Sequence, residues 1–304
     1  MDGVILLHKP SGMTSHDCVN KIRKLFHTKK VGHTGTLDPD VSGVLPICIG
    51  RATKIAQYLT ASYKTYEAEV TLGVATTTED ASGEIIDQKK VSETLSIKEV
   101  EEVLNKMVGK LDQIPPMYSA VKVNGKKLYE YAREGIEVER PPRTVYIEEL
   151  KRISDLKRKG DTVSFNIKVN CSKGTYIRTL AVMIGERLGY PAHMSHLIRT
   201  KSGQFSLEHC INFETIEQYL KTGHFEKGLL SISDALNHLP KLTINDTLAE
   251  KVQNGALLNI PKHFKNLNQD DRIAIYHHDK CIAIYMIHPK KDGYIKPDKV
   301  LVTN

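Results

Sequence analysis

No uninterrupted apolar run approaches the length of a membrane span, which argues against a helical membrane protein. The amino terminus, MDGVILLHKPSGMTSHD, lacks a charged leader before its short apolar stretch and a small-residue cleavage site after it. The expectation is a soluble, cytoplasmic protein. Cysteine is scarce: Cys18, Cys48, Cys171, Cys210 and Cys281 are odd in number, scattered and without a CxxC pair. That argues against a disulfide framework and a zinc site and predicts free thiols. Neither a Walker GxxxxGK[ST] nor a GxGxxG after a strand is present, so the usual phosphate cradles for nucleotide hydrolysis and hydride transfer are missing. HExxH is absent too, and His193 with His196 and His277 with His278 read as surface or connecting residues. There is no internal repeat and no low-complexity run.

What is present begins with charge. The net charge is +7, and it is concentrated: Lys21, Arg23, Lys24, Lys29, Lys30, Arg51, Lys54 and Lys64 face only Asp38 and Asp40 over that stretch. A local basic field suits a polyanion such as nucleic acid, whose phosphates attract Lys and Arg. The alternative is a solvated, lysine-rich helix face.

Inside that field lies Lys30 to Ile49, KVGHTGTLDPDVSGVLPICI, a glycine-rich turn running into an apolar segment. Pro39 fixes its own φ and biases Asp38 towards an extended conformation. An isolated aspartate of this kind is often only a turn former. Here the basic surroundings predict a lowered pKa and an ionised carboxylate, suited to nucleophilic or charge-stabilising work. His33 opens HTGT, close to the HxGH signature of nucleotidylyl transferases, but Thr36 stands where the second histidine belongs. Tyr66 starts an alternating strand, on its apolar face, and taken alone reads as a core residue with a satisfied hydroxyl. Arg178, in the first turn of a helix, is either a surface charge or a partner for a carboxylate.

Along the chain, Gly3–Leu7 reads as a strand, and Thr14 or Ser15 caps a helix with Val19, Ile22 and Phe26 on one face. Val44–Ile49 reads as a strand and Ala52–Leu59 as a short helix. Tyr66–Leu72 reads as a half-buried strand, and Ile97–Val108 as a helix ended by Gly109. Pro115-Pro116 and Pro141-Pro142 bracket an irregular segment with Tyr118, Tyr129 and Tyr131 among basic residues, suited to a nucleic-acid-contacting arm or to a locally packed insertion. Val145–Ile153 and Thr162–Val169 form two further strands. A helix opens near Thr175, burying Ile177, Leu180, Ala181, Ile184 and Leu188 and leaving Arg178 off that face. Ala192–Phe205 reads as a connecting stretch and Phe213–Leu220 as a helix. From about residue 239 a tail of 66 residues carries a short helix near Thr247–Gln253 and strands at Ile273–Tyr276 and Cys281–Ile287.

Five motifs together give a resemblance. KPSGMTSHD at Lys9–Asp17, VGHTGTLDPDVSGVLP at Val31–Pro46, KTYEAEVTLG at Lys64–Gly73, PPMYSAVKVNGKKLYEYAREG at Pro115–Gly135 and CSKGTYIRTLA at Cys171–Ala181 resemble the TruB family of bacterial tRNA pseudouridine-55 synthases over nearly the whole chain. The resemblance implies an α+β fold, a mixed, mostly antiparallel sheet flanked by helices, in a catalytic domain spanning 1–238. A clamp-like insertion at about 113–143 and a small C-terminal β-rich, PUA-like RNA-binding domain at 239–304 complete it. The implied activity is isomerisation of uridine to pseudouridine at position 55 in the T-loop of tRNA, by base flipping and without metal or organic cofactor, alongside a tRNA-folding chaperone role. Asp38 matches the catalytic aspartate, acting as a nucleophile or by removing a ribose proton. Tyr66 matches the tyrosine stacked on the uracil, Arg178 the partner of the aspartate, and Leu197 an apolar wall of the uracil pocket. His33 matches the histidine filling space left by flipped nucleotides, while Lys9 and Pro10 support the loop. Lys21, Lys29, Lys30, Lys64, Tyr118, Lys122 and Lys126 are the expected RNA contacts of a monomeric enzyme. Two rivals stay open: a nucleotidylyl transferase requiring ATP or CTP, and an RNA-binding protein without chemistry.

Overall fold

The structure is a computed structural model that describes residues 1–261, 264 and 267–302. The apolar and alternating stretches form strands β1 (Gly3–Lys9), β2 (Val31–His33), β3 (Ser42–Ile49), β4 (Lys64–Leu72), β5 (Gly109–Gln113), β6 (Arg143–Arg152), β7 (Thr162–Cys171) and β8 (Ala192–Ser202). They join in the order β1-β3-β8-β4-β7-β6-β5, with β2 added to β3. These pairings are antiparallel except for β8 against β3, where Ile198 faces Ser42 and Arg199 faces Gly43. The sheet is mixed and mostly antiparallel, as the sequence predicts.

Strand periodicity explains how the sheet buries itself. Val163, Phe165, Ile167, Val169 and Cys171 alternate along β7 and are buried, packing with the helices Ile97–Lys106 and Ile177–Leu188. Around the other end, helices Ser15–Leu25 and Phe213–Thr222 bury Val19, Ile22, Phe213 and Ile216 against Ile5, Leu7, Leu45 and Ile47. The first of these helices starts with a capping box: Thr14 Oγ1 accepts from Asp17 N at 3.0 Å while Thr14 N donates to Asp17 Oδ2 at 2.9 Å, worth about 1 kcal/mol.

Three stretches differ from the sequence reading. Gly109, at φ +104°, opens β5 after a helix that already closes at Lys106. Ala192–Phe205 is no connector: most of it is β8, a central strand, and register shifts at Met194/His196 and Arg199/Lys201 break the alternation that would have marked it. The arm contains a hairpin, Lys122–Val123 with Lys126–Lys127, turning on Asn124-Gly125 with both φ positive, followed by a helix at Leu128–Arg133.

A second sheet holds β9 (Lys241–Ile244), β10 (Leu258–Asn259), β11 (Arg272–His277), β12 (Lys280–Ile287) and β13 (Tyr294–Val300), ordered β9-β11-β12-β13-β10. Of these, β9, β10 and β13 escaped the sequence reading, being short or strongly polar. This sheet shares a buried cluster with the first: Ala274, Tyr276 and Ile284 pack with Val4, Val44, Ala52, Phe205 and Leu236. Tyr58 Oη donates to Asp298 Oδ2 at 2.8 Å across the same junction.

Candidate active site

The loop carrying Asp38 is held by the turn and helix start that precede it. Ser15 Oγ accepts from Leu37 N at 2.8 Å and donates to Leu37 O at 3.2 Å. Pro39 O accepts from Gly12 N and from Lys9 Nζ, both at 2.9 Å, and Ser11 Oγ donates to Asp40 O at 3.0 Å. Lys9 is fully buried, and its ammonium also donates to the carbonyls of Pro10 and Met13. A buried cation bonded only to carbonyl groups is an expensive arrangement, and here it fixes the residue after Asp38. Behind the loop, buried Arg199 donates from Nε to Val44 O at 2.8 Å and from Nη2 to Gly35 O at 3.2 Å. Gly43 is required at this junction: with φ +117°, a Cβ there would lie 2.2 Å from Arg199 O.

Asp38 Oδ2 lies 3.0 Å from Arg178 Nη2. Arg178, in the first turn of Ile177–Leu188, is off the apolar face as predicted, yet it is buried rather than solvated, with a side chain only 5% exposed. Its guanidinium also donates to Thr78 O at 3.0 Å and Tyr118 O at 2.8 Å, while Nε sits 3.9 Å from Asp80 Oδ2. Asp80 is in turn held by Thr78 Oγ1, Ser82 N and Ser82 Oγ, all donating to Oδ1. One arginine therefore spans two carboxylates and a carbonyl of the arm.

The predicted direction of the Asp38 pKa is wrong. Removal from bulk water in the cleft raises it above the ordinary 3.8, and Asp80 adds to the rise, against the pull of Arg178 and Lys9. The side chain is 42% exposed, and that exposure is to a concave cleft lined by protein rather than to open solvent. The basic residues counted along the sequence lie mostly elsewhere. Asp80, distant in sequence, is the close charge that the count omitted.

Two cavities meet at the Asp38–Arg178 pair. One, about 270 Å³, is lined by Tyr66, Lys64, Tyr176, Leu197 and Arg199 as well as the pair. The other, about 580 Å³, runs beneath the arm past Tyr118, Tyr129, Arg133 and His196. Tyr66 is half-buried at the start of β4, and burial pushes its hydroxyl pKa up although Arg199 pulls it down. At neutral pH it is a neutral phenol presenting a flat ring. Leu197 reaches the same space from β8, opposite Ala68. The arrangement offers a rigid carboxylate, an aromatic face and an apolar wall around a volume suited to one planar heterocycle.

Residues 23–177 match the TruB family pseudouridylate synthase (N terminal domain), and residues 178–239 match the tRNA pseudouridylate synthase B C-terminal domain. The chain belongs to the TruB family. It is 62% identical over 303 residues to tRNA pseudouridine synthase B of Bacillus subtilis (strain 168), covering 99% of this chain and 98% of that protein. Against the protein of the same name from Bacillus velezensis the identity is 60%, with the same coverages. A solved Cbf5-Nop10-Gar1 complex contains a chain 30% identical, with a TM-score of 0.75 over 99% of this chain and 85% of that one. This TruB-family chain is a tRNA pseudouridine synthase, an isomerase that converts uridine to pseudouridine in tRNA.

Within this TruB fold the other predicted residues scatter. Lys64 is not on the outer surface but lines the smaller cavity: it is 5% exposed, its ammonium donates to Thr60 O and Ser62 O at 2.6 Å, and burial brings its pKa down to about 8. Lys21 pairs with Glu217 at 3.0 Å and covers the Phe213 ring. Arg51 pairs with Asp2, and Lys54 donates to Val300 O, so the basic stretch is not one face. Lys29, Lys30, Lys122 and Tyr118 are exposed, and Lys126 pairs with Glu134 while lying over Tyr131. His33 is half-buried on β2, outside the lining of both cavities, with Nδ1 accepting from Gly35 N at 3.3 Å and burial lowering its pKa. Asp80, Tyr176 and Arg199 were missed. The signal available for Arg199 was its place two residues after Leu197 on what the structure makes a strand.

Proposed function

We propose that the substrate position is uridine 55 in the T-loop of tRNA and that Asp38 carries the chemistry. The single observation supporting this most is the Asp38–Arg178 pair at 3.0 Å, placed where a cavity lined by Tyr66 and Leu197 opens. A uridine must leave its stack to enter that cavity, at a cost of a few kcal/mol that tRNA contacts offset. Arg178 holds the carboxylate towards the cavity, and Asp38 either attacks the nucleotide covalently or removes a ribose proton. As the bond from uracil N1 to the ribose breaks, Asp38 either bonds to the nucleotide or holds the ribose proton. The base turns, C5 bonds to the sugar as the bond to Asp38 breaks or the ribose regains its proton, and C5 then loses a proton while N1 gains one. Tyr66 stacks on the base, its phenol staying protonated, and guides the C5 proton to water. Leu197 closes the pocket, and His33 fills space behind flipped nucleotides.

The domain reading belongs to the same proposal: a catalytic domain to about residue 238 with the arm at about 113–143, then a PUA-like RNA-binding unit from 239. Its support is that the second sheet begins at Lys241. The working form is a cytoplasmic monomer acting without metal or organic cofactor. No helix among the described residues is long and apolar enough to cross a membrane.

The test is release of tritium from tRNA labelled at uracil C5, in buffer containing EDTA and no nucleotide. Release of one tritium per tRNA, lost when U55 alone is replaced by cytidine, is the expected result. Release that survives the replacement would move the target to another uridine.

A further inference from the structure

Adjacent residues on a strand point to opposite faces, so His277 and His278 should diverge. They do not. His278 begins the turn between β11 and β12 in the left-handed region, at φ +51°, and the two rings lie with centroids 4.1 Å apart at 57°. The parallel register of β9 with β11 sets Ile244 opposite His277, so the chain leaving β9 brings Asp246 to the same point. Asn245 already caps the helix Asp246–Gln253, accepting from Leu248 N at 3.0 Å, and Asp246 is left to face the hairpin. Its Oδ1 lies 2.7 Å from His277 Nε2 and 4.0 Å from His278 Nε2. Among the described residues this is the one group of three such side chains whose donor atoms all fall within 4.8 Å of one another.

We propose that Asp246, His277 and His278 form a surface site for a borderline divalent cation, with zinc as its representative. Two imidazoles and one carboxylate are a donor set for zinc, nickel or copper rather than for magnesium or calcium, which take oxygen ligands. Zinc binds nitrogen and oxygen at about 2.0–2.2 Å, so its ligand atoms stand about 3–3.5 Å apart. Reaching that spacing requires sub-ångström to ångström shifts of side chains that are free to make them: His278 is 76% exposed and Asp246 86%. The cation takes the place of the contact between His277 Nε2 and Asp246 Oδ1. The thiol of neighbouring Cys281 does not compete, being buried with its pKa pushed up to about 12. A bound ion would clip the helix Asp246–Gln253 to the β11–β12 hairpin, on the second sheet and apart from the Asp38 cleft. The sequence reading left these histidines without a role because their third partner lies 31 residues upstream of the pair.

The test uses the untagged, EDTA-stripped full chain titrated calorimetrically with zinc sulfate. One zinc per chain is expected, with a raised thermal midpoint in its presence, and excess magnesium should not displace it. Asp246→Asn and His278→Asn should each weaken binding by at least about tenfold. Asparagine tolerates positive φ, so the second variant keeps the turn, which an unchanged metal-free melting curve verifies. His209→Ala, at an exposed histidine elsewhere, should bind as the unaltered chain does. No zinc uptake would overturn the proposal. So would uptake that survives both substitutions, or that falls equally with His209→Ala.

Discussion

Between Leu37 and Asp40, each of the residues flanking Asp38 has its carbonyl bonded to the Lys9–Ser15 segment: Leu37 to Ser15, Pro39 to Lys9 and Gly12, and Asp40 to Ser11. The arm facing this loop is built the other way. Its bonds run within itself, from Tyr129 N to Ser119 O, Leu128 N to Val121 O and Arg140 Nη1 to Pro115 O. Among the described residues, the one hydrogen bond joining 114–142 to the rest of the chain is Arg178 Nη2 to Tyr118 O. A pre-positioned carboxylate needs many constraints, whereas an arm with the proposed role of admitting a folded RNA needs few. The contrast also has a hinge point, because the nitrogen holding the arm is the one holding Asp38.

The largest effect expected is from Asp38→Asn, which keeps the shape of the loop and removes its charge. Turnover should fall to background while tRNA affinity changes by less than about threefold, since phosphate and stacking contacts remain. A parallel loss in filter binding would make Asp38 a structural member of the loop. Arg178→Lys keeps the charge but loses the fork that serves Thr78, Tyr118 and Asp38 together. Turnover at saturating tRNA should drop about a hundredfold, and limited proteolysis should cut the arm faster. Slower turnover with an unchanged cleavage rate would separate loop from arm.

A pH profile sharpens the loop side. If the ionised Asp38 is the active form, activity falls as pH drops through its raised pKa, so the acid limb lies above the ordinary carboxylate value of 3.8. Asp80→Asn removes a charge that holds the pKa up, and the limb should move to lower pH whatever the plateau rate. A limb that stays in place would mean that Asp80 acts on Arg178 alone. The smallest effect belongs to the arm: Lys122→Ala should weaken tRNA binding about twofold to threefold and reduce the salt slope by about one, leaving turnover at saturation unchanged.

The loop was legible because its punctuation is local. Gly and Pro spacing marked the turn, whereas its contact with Ser15 came only from the structure. The alternating strands β4 and β7 were equally plain. Strand β8 was hidden by its bulges and by a sequence mixing His, Arg, Lys and Thr with apolar residues, because its middle, from Met194 to Arg199, lines the cleft. The hairpin of the arm was signalled by Asn124-Gly125, but the flanking strands are two residues each. For the site, the motifs carried Asp38, Tyr66, Arg178 and Leu197 to one place, whereas charge counting misjudged Lys64 and the sign of the Asp38 shift.

The sequence by itself determined the α+β class, the rigid turn around Asp38 and the family, since each rests on residues adjacent in the chain or on motifs conveyed intact. Only the tertiary structure decided which charges meet. It set Asp80 beside Arg178, buried Lys9, Lys64 and Arg199 among carbonyl groups, and brought Asp246 to His277 and His278. Desolvation and Coulomb attraction act over a few ångströms of space, and separation along a chain does not record that distance.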